Sequence, residues 1–347
     1  MQITLKDIAK KTGVSVTAVS KVLNNRYIRI GKNKRDEIEK SAKELGYTPN
    51  IIALGLFSKA TKSVGIILPE INTLFYPEIS YYIEIQLAKN GYQTIICSSE
   101  DNANYEKKHI ENLLARQVDA LIVIPEKTNK NYEVFKSICS KHIPIVFVDR
   151  YFGQDLPSYV VTDNYLSVRN GVSKILNGKI ANIFYVGGKN RTYVLDERIN
   201  GLKDEAKENG FQLGNENIYF TDFGRENIYN TCLTIFKRGI SNSLIFLESN
   251  RIVMGLLDAA YQFNFSIPDD IQIIGFDVFN PNLVTAQDFK VLKKITKPFP
   301  VIKQPIKKIA DTAATYILEQ LSGKNKETIH TKLLAEVIMG ENNSFVL

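Results

Sequence analysis

From Val64 onward the chain alternates short apolar segments with amphipathic helical segments, which favours an α/β fold of parallel sheets covered by helices on both faces. The predicted strands are residues 64–68, 93–97, 120–124, 144–148, 159–161, 181–187, 243–247, 271–276, 291–295 and 330–337. The predicted helices are residues 78–89, 104–116, 132–141, 164–176, 196–209, 226–237, 251–263 and 304–321. So many strands exceed the usual four to six of one sheet, so we expect two lobes.

Open parallel sheets bind ligands beyond the carboxyl ends of their strands, and polar and aromatic side chains gather at or near these positions. They are Phe75, Tyr76, Asp149, Arg150, Arg198, Ser249, Asn250, Asp277 and Gln304. Carboxylates and guanidinium groups hold sugar hydroxyls by charge-assisted hydrogen bonds, and aromatic rings pack on sugar C–H faces. We therefore predict a small-molecule site for a sugar or sugar derivative. For single residues, a turn-capping carboxylate, a structural arginine ion pair or a plain core aromatic remains an alternative.

The positive charge of the chain is confined to its first sixth. Residues 1–61 contain 12 basic and 5 acidic residues, whereas the remaining residues contain 32 of each. A small basic module joined to a neutral body is typical of a protein that binds a polyanion such as DNA.

The basic module has the pattern of a helix-turn-helix. Thr4 and Asp7 predict the start of one helix, Gly13 its end, and Ser15 the cap of a second helix over residues 16–23. A third amphipathic helix is predicted from about residue 34 to residue 45. The second helix of such a unit enters the major groove of DNA. Its exposed positions, which we expect to contact bases, are Val16, Thr17, Ser20 and Lys21. Phosphate contacts are expected from Ser15, Asn24, Arg26, Arg29, Lys32 and Lys34.

The segment TLKDIAKKTGVSVTAVSKVLN, followed after a basic helix by LGYTPNIIALGLF, resembles the LacI/GalR family of bacterial repressors. The resemblance covers nearly the entire chain. It implies that residues 1–47 are a helix-turn-helix domain in which Thr4 also contacts DNA. It further implies that residues 48–61 are a hinge in which Asn50 caps a short helix and contacts DNA, and in which Leu56 inserts as a wedge into the minor groove. Arginines common in the family's hinge are replaced here by Leu54 and Phe57.

For residues 62–347 the resemblance implies a two-lobed core of the type I periplasmic-binding-protein fold, with the effector between the lobes. The chain would cross between lobes near residues 161, 290 and 322. The N-lobe would contain residues 62–161 and 291–321, and the C-lobe residues 162–290 and 322–347. The family's effector contacts fall on the nine positions predicted above, with Asn250 where the family usually has Asp.

We expect a transcription regulator that acts as a repressor. It would bind a palindromic DNA operator as a homodimer. A purine-responsive or phosphoprotein-responsive regulator of the same family remains an alternative. A sugar transport receptor would need an export signal in place of the basic module. Enzymatic motifs, cofactor motifs and clustered histidines are not found, and apolar runs of about five residues are too short to span a membrane. We therefore expect no catalysis, no cofactor and a cytoplasmic location.

Overall fold

The computed structural model describes residues 3–24, 26–48, 60–153, 158–176, 180–278, 288–325 and 327–339. The chain divides into two compact units, Met1–Thr61 and Lys62–Leu347. Within the described ranges, no helix has both the length and the apolar character needed to cross a bilayer.

Among its described residues, the smaller unit contains three helices around one apolar core. They are α1 (Leu5–Thr12), α2 (Val16–Leu23) and α3 (Lys32–Glu44). Their apolar residues recur at helical spacing, so one face of each helix is buried. The buried apolar residues are Ile8, Ala9, Val19, Val22, Ile38 and Ala42. The predicted three-helix arrangement is therefore confirmed.

The ends of α1 and α2 are fixed by local hydrogen bonds that the sequence predicts. The main-chain N–H and the hydroxyl of Thr4 both donate to the Asp7 carboxylate, at 2.8 and 2.7 Å. Gly13 ends α1 at a φ of 68°, a left-handed conformation that glycine adopts without strain. The hydroxyl of Ser15 accepts from the N–H of Ala18 at 3.2 Å and so caps α2. The start of α1 is thereby fixed by Thr4 and Asp7, and the turn between the two helices by Gly13 and Ser15.

In the part of the larger unit that the structure describes, the strands form two six-stranded sheets. The first sheet is parallel throughout and has the order β11-β5-β4-β3-β1-β2. Its strands are β1 (Ser63–Leu68), β2 (Gln93–Ser98), β3 (Ala120–Val123), β4 (Ile145–Val148), β5 (Tyr159–Thr162) and β11 (His330–Leu333). We call the part of the unit built on this sheet the N-lobe.

The second sheet has the order β12-β10-β9-β8-β6-β7, in which only β12 is antiparallel to its neighbour. Its strands are β6 (Asn182–Gly188), β7 (Ile218–Thr221), β8 (Ser243–Leu247), β9 (Ile271–Phe276), β10 (Val301–Lys303) and β12 (Glu336–Ile338). We call the part built on it the C-lobe. Two parallel-sheet lobes confirm the predicted fold class.

Helices cover both sheets, and each sheet has an apolar cluster on either face. They are α4 (Phe75–Lys89), α5 (Ala103–Ala115), α6 (Tyr132–Ser140), α7 (Asn164–Ser173), α8 (Tyr193–Glu208), α9 (Arg225–Phe236), α10 (Val253–Phe263), α11 (Phe289–Leu292) and α12 (Ile306–Ser322). Short 3-10 helices occupy Asn215–Asn217 and Asn250–Ile252. Phe75 and Tyr76, predicted to precede the first helix of the core, lie in its first turn.

The predicted strand at residues 291–295 is wrong. Val291 and Leu292 lie in the short helix α11, and Ile295 follows it at a spacing that keeps it on the same face. All three side chains are buried in an apolar cluster of the C-lobe. The C-lobe strand is instead β10, a three-residue segment too short to stand out by its alternation. Strand β7 was also not predicted, because its burial is incomplete.

Two of the three predicted crossings between the lobes are displaced. The first lies after β5, at Asp163, close to the predicted position. The second lies after β10, at 304–305, because β10 completes the C-lobe sheet before α12 packs on the N-lobe. The third lies at 334–335, which splits the predicted strand 330–337 into β11 and β12. Residues 291–303 therefore belong to the C-lobe, and residues 322–333 to the N-lobe.

Close packing of α7 and α8 depends on Gly201. A Cβ atom at this position would lie 2.6 Å from the main-chain oxygen of Tyr165 on α7. Because backbone cannot yield as a side chain does, we expect Gly201→Ala to destabilise the core by about 1–3 kcal/mol. This loss would exceed the gain of about 1 kcal/mol in helix propensity. Thermal unfolding measures it, with Gly224→Ala as control, since only the flexible side chain of Asn227 lies near that site. Equal melting temperatures for the two variants would contradict this account of the packing.

Candidate effector cavity and DNA-binding surface

A cavity of about 730 Å³ lies between the two lobes, where the carboxyl ends of their strands face each other. All nine residues that the sequence predicts for the ligand site line this cavity. They are Phe75, Tyr76, Asp149, Arg150, Arg198, Ser249, Asn250, Asp277 and Gln304. Four of them belong to the N-lobe, four to the C-lobe, and Gln304 lies at the second crossing. A ligand in this cavity would contact both lobes at once.

On the N-lobe side, Arg150 is held by three neighbours. Its Nη1 donates to Asp101 Oδ1 at 2.7 Å and to the main-chain oxygen of Pro125 at 3.2 Å. Its Nη2 donates to the hydroxyl of Tyr76 at 3.0 Å. Burial raises the pKa of the Tyr76 hydroxyl well above its ordinary value. Both side chains therefore keep one fixed orientation and one protonation state over the physiological pH range.

On the C-lobe side, Arg198 is buried against an aromatic ring. Its Nε donates to Asn164 Oδ1 and its Nη1 to the main-chain oxygen of Glu248, both at 2.8 Å. The guanidinium carbon lies 3.5 Å from the centroid of the Phe276 ring, a cation–π distance. Burial lowers the pKa of Arg198, whereas the nearby Asp277 and Asp149 raise it. A guanidinium group in this setting forms strong hydrogen bonds, because little water competes for them.

Two carboxylates follow strands on opposite sides of the cavity and share an uncommon backbone conformation. Asp149 and Asp277 have φ values of 64° and 69°, a left-handed region that residues other than glycine seldom adopt. Desolvation raises the pKa of Asp277 to about 6, although Arg198 lowers it. Burial likewise raises the pKa of Asp149, against the opposing effects of Arg150 and Arg198.

Gln304 links Asp277 to the first crossing between the lobes. Its Nε2 donates to both carboxylate oxygens of Asp277, at 3.0 and 3.2 Å. Its Oε1 accepts from the Thr162 hydroxyl at 2.6 Å. Because Thr162 ends β5 of the N-lobe and Asp277 follows β9 of the C-lobe, this chain of hydrogen bonds joins the lobes behind the cavity.

Ser249 and Asn250 begin the short 3-10 helix that follows β8. The Ser249 hydroxyl accepts from the N–H of Arg251 at 3.4 Å. Asn250 Nδ2 donates to the main-chain oxygen of Val278 at 2.8 Å, which ties the ends of β8 and β9 together. Arg251 reaches across the cavity mouth, where its Nη1 lies 3.4 Å from Glu70 Oε1 of the N-lobe. Neither Arg251 nor Glu70 was predicted from the sequence.

The pair formed by the buried Glu248 and the partly buried Arg191 was also not predicted from the sequence. Glu248 lines the cavity and is fully buried, and its Oε1 accepts from both Arg191 Nη1 and the Tyr185 hydroxyl. Its Oε2 accepts from the N–H of Gly188 at 2.8 Å. Burial raises the pKa of Glu248 to about 8. A Cβ atom at Gly187 would lie 2.8 Å from this carboxyl group. The pair Gly187-Gly188 was therefore the one feature of the sequence that could have indicated a close contact here.

In the smaller unit, the expected base-contacting residues share one face of α2. Val16, Thr17 and Lys21 are exposed, and Ser20 is partly buried. Asn24 Nδ2 donates to the main-chain oxygen of Ser20 at 2.7 Å, so this amide group ends the helix. Among the remaining predicted DNA contacts, Thr4, Ser15 and Arg26 are exposed. Asn50 and Leu56 lie outside the described residues.

Comparisons with known proteins agree with this architecture. Residues 4–50 match the family described as bacterial regulatory proteins of the lacI family. Residues 61–336 match the family described as periplasmic binding proteins and sugar binding domain of LacI family. A helix-turn-helix joined to a two-lobed ligand-binding core defines the class of effector-controlled, DNA-binding transcription regulators.

Relatives cover the chain from end to end. The ribose operon repressor of Halalkalibacterium halodurans is 25% identical over 346 residues, 98% of each protein. The sucrose operon repressor of Streptococcus mutans is 28% identical over 334 residues, 91% of this chain and 92% of that protein. A structure of the Lac repressor dimer bound to operator and an anti-inducer has a TM-score of 0.83 at 18% identity, with 99% of both chains covered. The chain belongs to the LacI family of bacterial transcription regulators.

Proposed function

We propose that this regulator is a repressor whose affinity for a palindromic operator is controlled by an uncharged sugar bound between its two lobes. The charge balance of the cavity carries this proposal. Three basic side chains, Arg150, Arg198 and Arg251, line the cavity together with three carboxylates, Glu70, Asp149 and Asp277, and with Glu248, whose raised pKa of about 8 leaves it largely protonated at neutral pH. A phosphate group would need cations in excess of the carboxylates, and this lining offers none.

The existing ion pairs support the same conclusion. Arg150 is bonded to Asp101, and Arg251 faces Glu70. Arg198 is electrostatically coupled to both Asp149 and Asp277. Alternating donors and acceptors of this kind suit hydroxyl groups, each of which both donates and accepts a hydrogen bond. Phe75 and Tyr76, with ring centroids 5.4 Å apart, offer the apolar surface that a sugar C–H face requires.

In the helix-turn-helix unit, we propose that Val16, Thr17, Ser20 and Lys21 of α2 contact the bases of the operator. One such helix contacts few bases, so two copies from a homodimer would contact two half-sites about one helical turn apart. Exposed Tyr81 on α4 and Tyr261 on α10 are candidate dimer contacts, because large aromatic side chains are enriched at protein interfaces. The insertion of Leu56 into the minor groove and the DNA contact of Asn50 remain predictions. A protein that binds operators works where chromosomal DNA lies, which in a bacterium is the cytoplasm.

A thermal-shift screen tests the effector class. The full chain is heated with neutral sugars, their phosphates and nucleobases. At about 100 times its Kd, a ligand stabilises the folded protein by about 2.7 kcal/mol, which raises the melting temperature by roughly 5 °C. We expect this shift for at least one neutral sugar and a smaller one for its phosphate. A larger shift with the phosphate, or with a purine, would overturn the proposed effector class.

The affinity for the sugar is expected to depend on pH through Asp277. Hydroxyl groups donate to the ionised carboxylate, so the bound protein has a lower Asp277 pKa than the free protein, whose pKa is about 6. The affinity is therefore full above about pH 6.5 and falls as the pH drops through 6. Calorimetric titrations at pH 7.5 and 5.5 measure the difference, and Asp277→Asn removes it. A pH-independent affinity in the wild-type chain would contradict this role of the carboxylate.

A further inference from the structure

A second, smaller cavity of about 220 Å³ lies beside the main one, with lining residues from both lobes. We infer that the effector is a neutral disaccharide whose first ring occupies the main cavity and whose second ring occupies this side cavity. The inference rests on the proposed sugar effector and extends it to the size of the ligand.

The two cavities meet at Arg150 and Thr192, which line both of them. From this junction the side cavity is walled by Tyr151 and Phe152, which follow β4 of the N-lobe. Tyr193, at the start of α8 of the C-lobe, also lines the side cavity and contacts Tyr151 edge-to-face. A ligand that extends from the main cavity past Arg150 would therefore stay between the lobes.

The aromatic walls have the character of a saccharide subsite. The Tyr193 ring is 47% exposed, although its centroid lies only 5.0 Å from that of Tyr151. Phe152 packs behind the wall on Phe147, with centroids 5.8 Å apart, so its position is fixed by the core. A partly exposed aromatic ring over a rigid apolar wall is suited to the C–H face of a sugar ring.

One polar group at this cavity lacks a partner. Arg191 lines the side cavity, and its Nε and Nη1 donate to Asp196 and Glu248. Its Nη2 is buried and has no hydrogen-bond partner among the described residues. Because the Asp196 carboxylate already balances the guanidinium charge, an uncharged oxygen acceptor such as a sugar hydroxyl or a glycosidic oxygen would suit this N–H, and the side chain would shift for a ligand to reach it.

The volume of the main cavity also favours a ligand larger than one sugar ring. At about 730 Å³ it lies in the upper part of the roughly 300–1,000 Å³ range that encloses drug-sized ligands. A single sugar ring is smaller than such ligands and would leave both the side cavity and much of the main cavity to water. A two-ring ligand would occupy more of the main cavity, extend into the side cavity and bring an oxygen atom close to Arg191.

Calorimetric titration of the full chain tests the inference with neutral disaccharides, namely cellobiose, maltose, lactose, sucrose and trehalose, and with their component monosaccharides. We expect at least one disaccharide to bind about tenfold or more tightly than either component. A monosaccharide that binds as tightly as every disaccharide would overturn the inference and leave the proposed sugar effector intact. If no sugar of either size binds, the proposed sugar effector fails and the inference fails with it.

Substitution of Tyr193 tests whether the second sugar ring binds in the side cavity. We expect Tyr193→Ala to weaken the preferred disaccharide about tenfold and to change the Kd of its component monosaccharide less than about twofold. Tyr105→Ala is the matched control, because Tyr105 on α5 is similarly exposed and lines neither cavity. Equal losses for both ligands, or no loss for either, would overturn the placement of the second ring.

Discussion

Raising the salt concentration from about 50 to about 200 mM is expected to weaken operator binding by about 10³–10⁵-fold. A protein that neutralises six to ten DNA phosphates releases as many condensed counterions, and salt opposes that release. The smaller unit offers Arg26, Arg29, Lys32 and Lys34 for phosphates, so the two copies in a dimer present about eight cations. Arg26, Arg29 and Lys32 are exposed, whereas Lys34 is paired with Glu37. Fluorescence anisotropy over a salt series measures the slope of the logarithm of affinity.

Single variants separate phosphate contacts from base contacts. Arg29→Ala should reduce the salt slope by about one for each copy in the dimer and weaken operator and random DNA equally. Lys21→Ala should instead reduce the preference for operator over random DNA. Lys207→Ala, on the surface of the core, is the control and should change neither. A salt slope near zero for the wild-type chain would contradict binding through this basic surface.

Asp277→Asn is expected to raise the Kd for the sugar by about 10–100-fold. A hydrogen bond to a charged group contributes about 1.5–3 kcal/mol, and the amide removes both the charge and one acceptor. The substitution preserves the shape of the side chain, and the amide oxygen still accepts from Gln304 Nε2. Operator affinity without sugar should stay within about twofold of wild type, since the change lies in the cavity wall. The result is a repressor that binds DNA and responds only to about 10–100-fold higher sugar concentrations.

A matched carboxylate on the surface controls for the loss of charge. Asp204→Asn replaces an exposed side chain on α8 that lies away from the cavity, and it should leave the sugar Kd unchanged. If Asp277→Asn binds the sugar as tightly as Asp204→Asn does, Asp277 is not an effector contact, and the assignment of the site fails.

The positions of the site residues were predictable because parallel strands place their carboxyl ends at one edge of the sheet. Asp149, Asp277 and Ser249 follow apolar strands that the sequence marks clearly, and the structure brings them to one cavity. The strand-end rule predicts where a carboxylate lies, but it does not predict which side chains will pair with it. Glu248 also ends a clear strand, yet its pairing with Arg191 depends on a loop whose path the sequence does not indicate.

The errors in the fold concern short segments near the crossings. Strand β10 has three residues, and its lobe is set by pairing with β9 rather than by local pattern. The apolar segment 291–295 resembles a strand in composition, but tertiary packing makes it part of a helix and turn. Where an element is this short, long-range contacts outweigh intrinsic preference.

Selection of bound duplexes from a random pool by the purified full chain, with and without the sugar found in the thermal-shift screen, tests the central claim most directly. The account predicts enrichment of one inverted-repeat sequence with half-sites about one helical turn apart, and a change in its occupancy when the sugar is added. A pool in which no sequence is enriched under either condition would contradict the account.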